Sequence, residues 1–100
     1  MIRVEWTAQA VGDLEAIREY VARDSAHYAA LLIERLVASV DYVEHFPEFG
    51  RMVPELQRPE LREVIRGSYR IVYRLRPDRA EVLTVFHGAR LFSRTVEGGL

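Results

Sequence analysis

The sequence predicts an α+β fold in which an N-terminal strand and an antiparallel helical hairpin precede a three-stranded antiparallel meander, in the order βααβββ. Three observations carry that expectation: a strict alternation at residues 2–6, a helical apolar stripe between residues 25 and 46, and a switch to strand patterning from Leu61 onward. The chain has 100 residues. One domain usually takes about 100–200 residues, so residues 1–100 are read as one unit.

Ile2, Val4 and Trp6 alternate with Arg3 and Glu5, the period of a strand with one buried face. Thr7 offers an N-cap hydroxyl, and Val11, Leu14, Ile17 and Val21 then recur at helical spacing, which predicts a helix over residues 8–22. Gly12 inside it costs ~1 kcal/mol relative to Ala, so fraying or a close neighbour is expected there. Asp24 and Ser25 cap a second helix, in which Ala29, Leu32, Ile33, Leu36, Val40 and Val43 form one stripe until Pro47 stops it. At ~1.5 Å per residue, a helix over residues 25–46 would span ~33 Å, and its short link to the first makes the two antiparallel neighbours.

Residues 47–59, with Gly50, Pro54 and several charges, have no period and read as a loop. Strands follow at residues 61–66, 69–76 and 80–87, separated by Gly67–Ser68 and by Pro77–Arg79. Adding the first strand makes a four-stranded sheet with the helical hairpin over one face. The other face is left open, with Val72 and Leu83 exposed on it.

Composition is that of an ordinary globular chain, 49% hydrophobic and 29% charged, which argues against disorder. With no cysteine, disulfides, thiolate zinc sites and cysteine nucleophiles are excluded, and a reducing cytoplasm suits the chain. The N-terminus lacks the apolar core of a signal peptide and no apolar run reaches ~18 residues, so a soluble, intracellular protein with no membrane contact is expected. His27 and His45 lie 18 residues apart with no carboxylate cluster beside them, and no Gly-rich phosphate loop occurs, so no metal and no cofactor are expected. Tyr20, Tyr28 and Tyr42 are expected to pack across the helical hairpin as core or rim.

Net charge is −1, yet residues 1–50 carry four Arg against nine carboxylates and residues 51–100 carry ten against six. Every basic residue is Arg, whose planar fork matches phosphate and carboxylate. Arg58, Arg62, Arg66, Arg70, Arg74, Arg76 and Arg79 crowd residues 58–79 against Glu60, Glu63 and Asp78, a strip that attracts a polyanion or an acidic partner. In the strand from Tyr69, Arg70, Val72, Arg74 and Arg76 point away from Tyr69, Ile71, Tyr73 and Leu75. A two-residue turn at Gly67–Ser68 would set Arg62 and Arg66 beside Tyr73 and Tyr69, whereas a bulged turn would move them across. His87 ends the last strand with Arg90 close behind, a pairing of imidazole and guanidinium that suits a phosphate, and equally a histidine that merely caps the strand.

Four stretches, AVGDLEAIREYVA, FPEFGRMVPEL, LREVIRGSYRIVYRL and VLTVFHGAR, together resemble the RelE/ParE superfamily of toxins from bacterial toxin–antitoxin pairs over nearly the whole chain. The resemblance implies the same fold and a toxin held in a hetero-oligomer with a cognate antitoxin. RelE-like members cut messenger RNA on the ribosome, and ParE-like members poison DNA gyrase. Arg70 and Arg90 match the two Arg positions of the RelE pattern and Arg62 matches a basic one. Val64 replaces a second basic position, and Val96 falls where a C-terminal Tyr is expected. The Gly50–Arg51 pair, YRIVY and HGAR look more like the ParE side.

Gyrase poisoning is therefore the preferred implication, with no catalytic residues and with Arg58, Arg62, Arg66, Arg70, Arg74 and Arg90 binding target or antitoxin. The alternatives are a metal-independent, ribosome-dependent endoribonuclease using Arg62, Arg70, His87 and Arg90, and an inactive homologue that only binds antitoxin.

Overall fold

The computed structural model describes residues 1–88. The alternation at the N-terminus becomes β1 (Arg3–Trp6), with Ile2, Val4 and Trp6 half-buried and Arg3 and Glu5 exposed. Thr7 caps α1 (Ala8–Ala22), its hydroxyl oxygen accepting the Ala10 N–H at 3.2 Å. Ser25 caps α2 (Ala26–Ala38) in the same way, accepting from Tyr28 N at 3.1 Å. Gly12 meets neither expectation: the helix runs through it, and a Cβ there would find nothing within 4 Å.

The second helix stops at Ala38 and does not run on to residue 46. Ser39 Oγ donates to the Leu36 carbonyl at 2.7 Å, and the chain tightens into a 3-10 turn at Asp41–Glu44. Residues i and i+3 eclipse in that geometry, which brings Val40 and Val43 to the same side, both buried. The apolar stripe was therefore genuine, but its last turn is wound more tightly than an α-helix.

Among the described residues five strands form the sheet, one more than expected. β2 (Arg51–Met52), β3 (Leu61–Arg66), β4 (Tyr69–Leu75) and β5 (Arg79–His87) join β1 in the order β1-β5-β4-β3-β2. β1 runs parallel to β5 and the other pairs are antiparallel. β2 is only two residues long, too short to show a period. The β3–β4 turn has two residues, with Arg66 opposite Tyr69 and Gly67 at φ +57°, which glycine adopts without a steric cost. Between β4 and β5 the register slips: Val72 faces Thr84 and Tyr73 faces Val82, leaving Leu83 as the extra residue of a bulge.

The helices cover one face, where Ala10, Leu32, Leu36, Ile71, Tyr73 and Val85 form the main core. The opposite face is not open. Val53, Leu61, Val72, Leu83 and Phe86 make a second, smaller core there, with Leu56 packed against it. Val72 and Leu83, expected to be exposed, are buried. The segment read as an irregular loop carries Val53 and Leu56 over the sheet, a placement no periodicity encodes.

α1 also completes the hydrogen bonding of the sheet. β1 ends at Trp6 opposite Val82, so among the described residues β5 beyond that point has no strand on that side. Thr7 N and Oγ1 donate to the Val82 carbonyl at 3.1 and 2.8 Å. Asp13 Oδ2 accepts from Val85 N at 3.1 Å and from Thr84 Oγ1 at 2.5 Å. The sequence marks Asp13 only as a polar residue between apolar ones; the partners of its Oδ2 lie more than 70 positions away.

Tyr73, the largest fully buried side chain, ties the segment before β2 to the core. Its hydroxyl donates to the Pro47 carbonyl at 2.8 Å and accepts from Gly50 N at 2.9 Å. A Cβ on Gly50 would stand 2.7 Å from both the Tyr73 ring and the Glu63 carbonyl oxygen, so this approach requires glycine. Burial holds the Tyr73 phenol above its ordinary pKa, in part offset by the Gly50 hydrogen bond.

Two outcomes are expected. Tyr73→Phe orphans the Pro47 and Gly50 groups and should cost about 1–3 kcal/mol in urea unfolding. Because the folded phenol titrates above its unfolded value, its contribution is complete below that value and is lost as pH rises through the folded one. The variant should accordingly lose less stability than the wild type as pH rises above about 10, and an unchanged alkaline slope would exclude this. Asp13→Ala should cost about 1–3 kcal/mol and speed hydrogen exchange at the Val85 amide.

Candidate functional site

The arginine strip does not survive as one surface. With the two-residue turn in place, Arg62 stands opposite Tyr73 and Arg66 opposite Tyr69, on the face that the helices cover. Arg70 and Arg74 stand on the other. Arg62 is half-buried, and its guanidinium donates to the carbonyls of Pro59 (3.1 Å) and Gly50 (3.0 Å), with Glu48 at 3.8 Å. Arg58 is exposed and pairs with Glu60 at 2.6 Å. Arg66, exposed beside the hairpin turn, makes no ion pair among the described residues. Arg74 is half-buried, its Nε shielded and without a hydrogen-bond partner among the described residues.

Arg70 is well enclosed, with its side chain 12% exposed. Its Nη1 and Nη2 grip Glu55 as a fork at 2.7 and 2.8 Å, while Nε reaches Glu63 Oε1 at 2.8 Å. Glu63 has no exposed side-chain surface, and its other oxygen accepts from Arg51 Nε at 2.7 Å. The guanidinium of Arg70 also lies 5.6 Å from the Phe86 ring centroid. A carboxylate placed in the sheet must be paired, because an isolated charge there costs several kcal/mol. β3 supplies Glu63, β4 supplies Arg70 and β2 supplies Arg51, so the pairing of three strands assembles the network. The Arg70 hydrogen bond holds the Glu55 carboxyl below the usual carboxylate range, and the same bond raises Arg70 further.

The open cationic face expected from the sequence is thus corrected. Two arginines and two carboxylates neutralise one another at its centre, and apolar residues from the preceding segment pack beside them. The alternation at residues 69–76 sorted Arg70 and Val72 onto one face correctly. What it did not show is that Glu63 from the neighbouring strand shares that face.

A cleft of about 540 Å³ opens between α1 and the end of the hairpin strands, lined by Asp13, Ile17, Tyr20, Tyr69, Val85 and His87. His87 is exposed and meets the Tyr69 ring edge-on, with centroids 5.5 Å apart. Burial raises the Tyr69 phenol above its ordinary pKa, with smaller contributions from Tyr28 and Tyr20. Arg90, which the sequence places near His87, lies outside the described residues. Among the described residues no group of three or more His, Asp or Glu is arranged to hold a metal ion. Among them, too, no helix is long and apolar enough to cross a membrane. Tyr20, Tyr28 and Tyr42 do not pack across the hairpin as a core. All three are exposed, and Tyr42 stacks on Phe49.

Glu63→Ala should cost about 3–5 kcal/mol by leaving Arg70 enclosed with one carboxylate fewer. Glu63→Leu combined with Arg70→Met should recover most of that loss in urea unfolding. Additive losses would mean that the two groups do not depend on each other. For Glu55 the depressed pKa gives stability above its unfolded value that is lost as pH falls through the folded one, and its exposure keeps this contribution small.

The sequence profile of the family described as "ParE toxin of type II toxin-antitoxin system, parDE" matches residues 4–92. The protein "Toxin RelE2" of Caulobacter vibrioides is 35% identical over 91 residues, covering 91% of this chain and all of that one. Among solved structures, one titled "Chromosomal ParDE TA system from P. aeruginosa" superposes with a TM-score of 0.72 at 22% identity, over 87% of this chain and 96% of that one. A second, the toxin–antitoxin complex RelBE2 from Mycobacterium tuberculosis, gives 0.56 at 20% identity, over 86% and 96%. Both share the fold of a strand, two helices and an open mixed sheet. The profile spans nearly the whole chain and a relative above 30% identity is covered end to end, so this protein belongs to the ParE toxin family of type II toxin–antitoxin systems.

Proposed function

We propose that the protein arrests growth in the cytoplasm by poisoning DNA gyrase, performs no chemistry itself, and is neutralised by a cognate antitoxin. The observation that carries this reading is the occupation of Arg70 by Glu55 and Glu63. Metal-free cleavage of RNA needs a cation to meet the charge that develops on the phosphate, and a general acid and base beside it. A phosphate approaching Arg70 would compete with two carboxylates already within 2.8 Å. Val64 in place of a second basic residue, and the lack of any Tyr after Tyr73, point the same way.

The solved neighbours are toxin–antitoxin systems, and by likeness an antitoxin is the partner of this chain. The cleft lined by Ile17, Tyr20, Tyr69 and His87 suits an amphipathic segment that folds on binding. Exposed Val11 and Tyr28 extend the apolar surface of the hairpin. Arg66, on the surface opposite Tyr69, is placed to meet acidic side chains of such a segment, whereas Arg58 lies at the other end of β3 and pairs with Glu60.

Purified protein added to gyrase should block supercoiling and accumulate cleaved DNA, and its induction in cells should raise the DNA-damage response. Codon-phased cuts in translated messages without an effect on gyrase would establish instead the RelE-like reading, with Arg62, Arg70, His87 and Arg90 as its residues. Tight antitoxin binding with neither effect would identify an inactive binding module.

A further inference from the structure

Three aromatic side chains stand in solvent where the 3-10 turn runs into β2: Tyr42, Phe46 and Phe49, exposed by 60, 62 and 52%. The rings of Tyr42 and Phe49 stack, with centroids 5.3 Å apart and planes at 22°. Isolated exposed apolar residues are ordinary, whereas an exposed aromatic cluster marks a contact surface.

The backbone beneath them is fixed. Phe46 N donates to the Tyr42 carbonyl and Phe49 N to the Phe46 carbonyl, each at 2.8 Å, giving two consecutive turns. Tyr73 Oη holds Pro47 and Gly50 from below, and Arg62 holds the Gly50 carbonyl from the side. Rings carried on so constrained a segment lose little further freedom when they enter a partner. Beside Phe46 and Phe49 a shallow cleft of about 700 Å³ is walled by Ile2, Leu75 and Pro77.

The charge at the rim is negative. Asp41, Glu44 and Glu48 flank the rings, while the nearby cations Arg62 and Arg76 are engaged by Glu48 (3.8 Å) and Glu81 (2.9 Å). Phosphates brought to this surface would meet carboxylates, which excludes a nucleic acid as its occupant. The complementary partner is a protein patch with an apolar pocket and basic side chains around it, as proteins that handle DNA commonly carry.

We propose that this aromatic knuckle is where the toxin grips its protein target. The inference rests on the reading of the chain as a toxin that acts on a protein. The knuckle borders the cleft at Leu75, and the cleft assigned to the antitoxin lies at Tyr69, so the two surfaces sit at opposite ends of β4, about 20 Å apart. Target binding and antitoxin binding are thus separable.

The test compares wild type with Phe46→Ser/Phe49→Ser in thermal unfolding, affinity for a cognate antitoxin, growth inhibition, and inhibition of purified gyrase. The variant should unfold within a few degrees of wild type, bind antitoxin within about threefold, and need at least tenfold more protein to inhibit gyrase or growth. Should the serine variant fail to fold, Asp41→Lys/Glu44→Lys reads the same surface through charge, with the same tenfold loss expected. Undiminished potency in a folded variant overturns the proposal, as does lost antitoxin affinity with potency kept, which would give the knuckle to the antitoxin. A wild type that inhibits neither growth nor gyrase overturns the toxin reading itself. One that inhibits growth but not gyrase removes gyrase alone and leaves the knuckle to be judged on growth.

Discussion

A carboxylate with no solvent contact has to be answered by cations, and the way Glu63 is answered governs what the basic half of this chain can do. Arg70 and Arg51 converge on it from the two flanking strands, and Glu55 closes the far side of Arg70. Each member alone would be costly in so enclosed a place, and together they are compensated. The network also explains why Val53 and Leu56 fold back over the sheet: the same segment delivers Glu55, and its apolar residues fill the space beside the paired charges. What the composition suggests is a cationic platform becomes, at its centre, a neutral structural joint. Substituting Arg70 therefore perturbs the fold and any binding surface together, and loss of activity in such a variant reports on both.

The two ends of the sheet are then free to specialise. At the Tyr69 end, α1 leans on β5 through Thr7 and Asp13 and leaves a cleft bounded by tyrosines. At the Leu75 end, Tyr73 reaches up through the core to fix a short aromatic-bearing segment whose rings stay outside. Both arrangements use polar side chains bonded to distant backbone groups to immobilise a surface element, which is how a chain of this size can present shaped surfaces on a modest core. In both, removal of those groups costs stability and surface shape at once.

The legible part of the fold was that governed by short-range pattern. The N-caps Thr7 and Ser25, the period of α1 and the three long strands all follow from residues within a few positions of one another, whereas the turn at Gly67–Ser68 was placed but its register was left open until the strands paired. The end of α2 was misjudged because 3-10 and α-helical turns place an apolar residue on the same side at i+3, so the stripe through Val40 and Val43 fits either. β2 is too brief to show a period, and the bulge at Leu83 depends on the neighbouring strand.

Sequence alone determined the class of the fold, the order of its main elements, the family to which its motifs belong and the concentration of arginine in the second half. Only tertiary structure decided which of those arginines reach solvent. Charge counts add residues irrespective of position, whereas pairing depends on which side chains the strand registers bring within a few ångströms. Glu63 and Arg70 are seven residues apart in a sequence of many charges, and nothing local distinguishes that pair from the exposed Arg58 and Glu60 until the sheet is assembled.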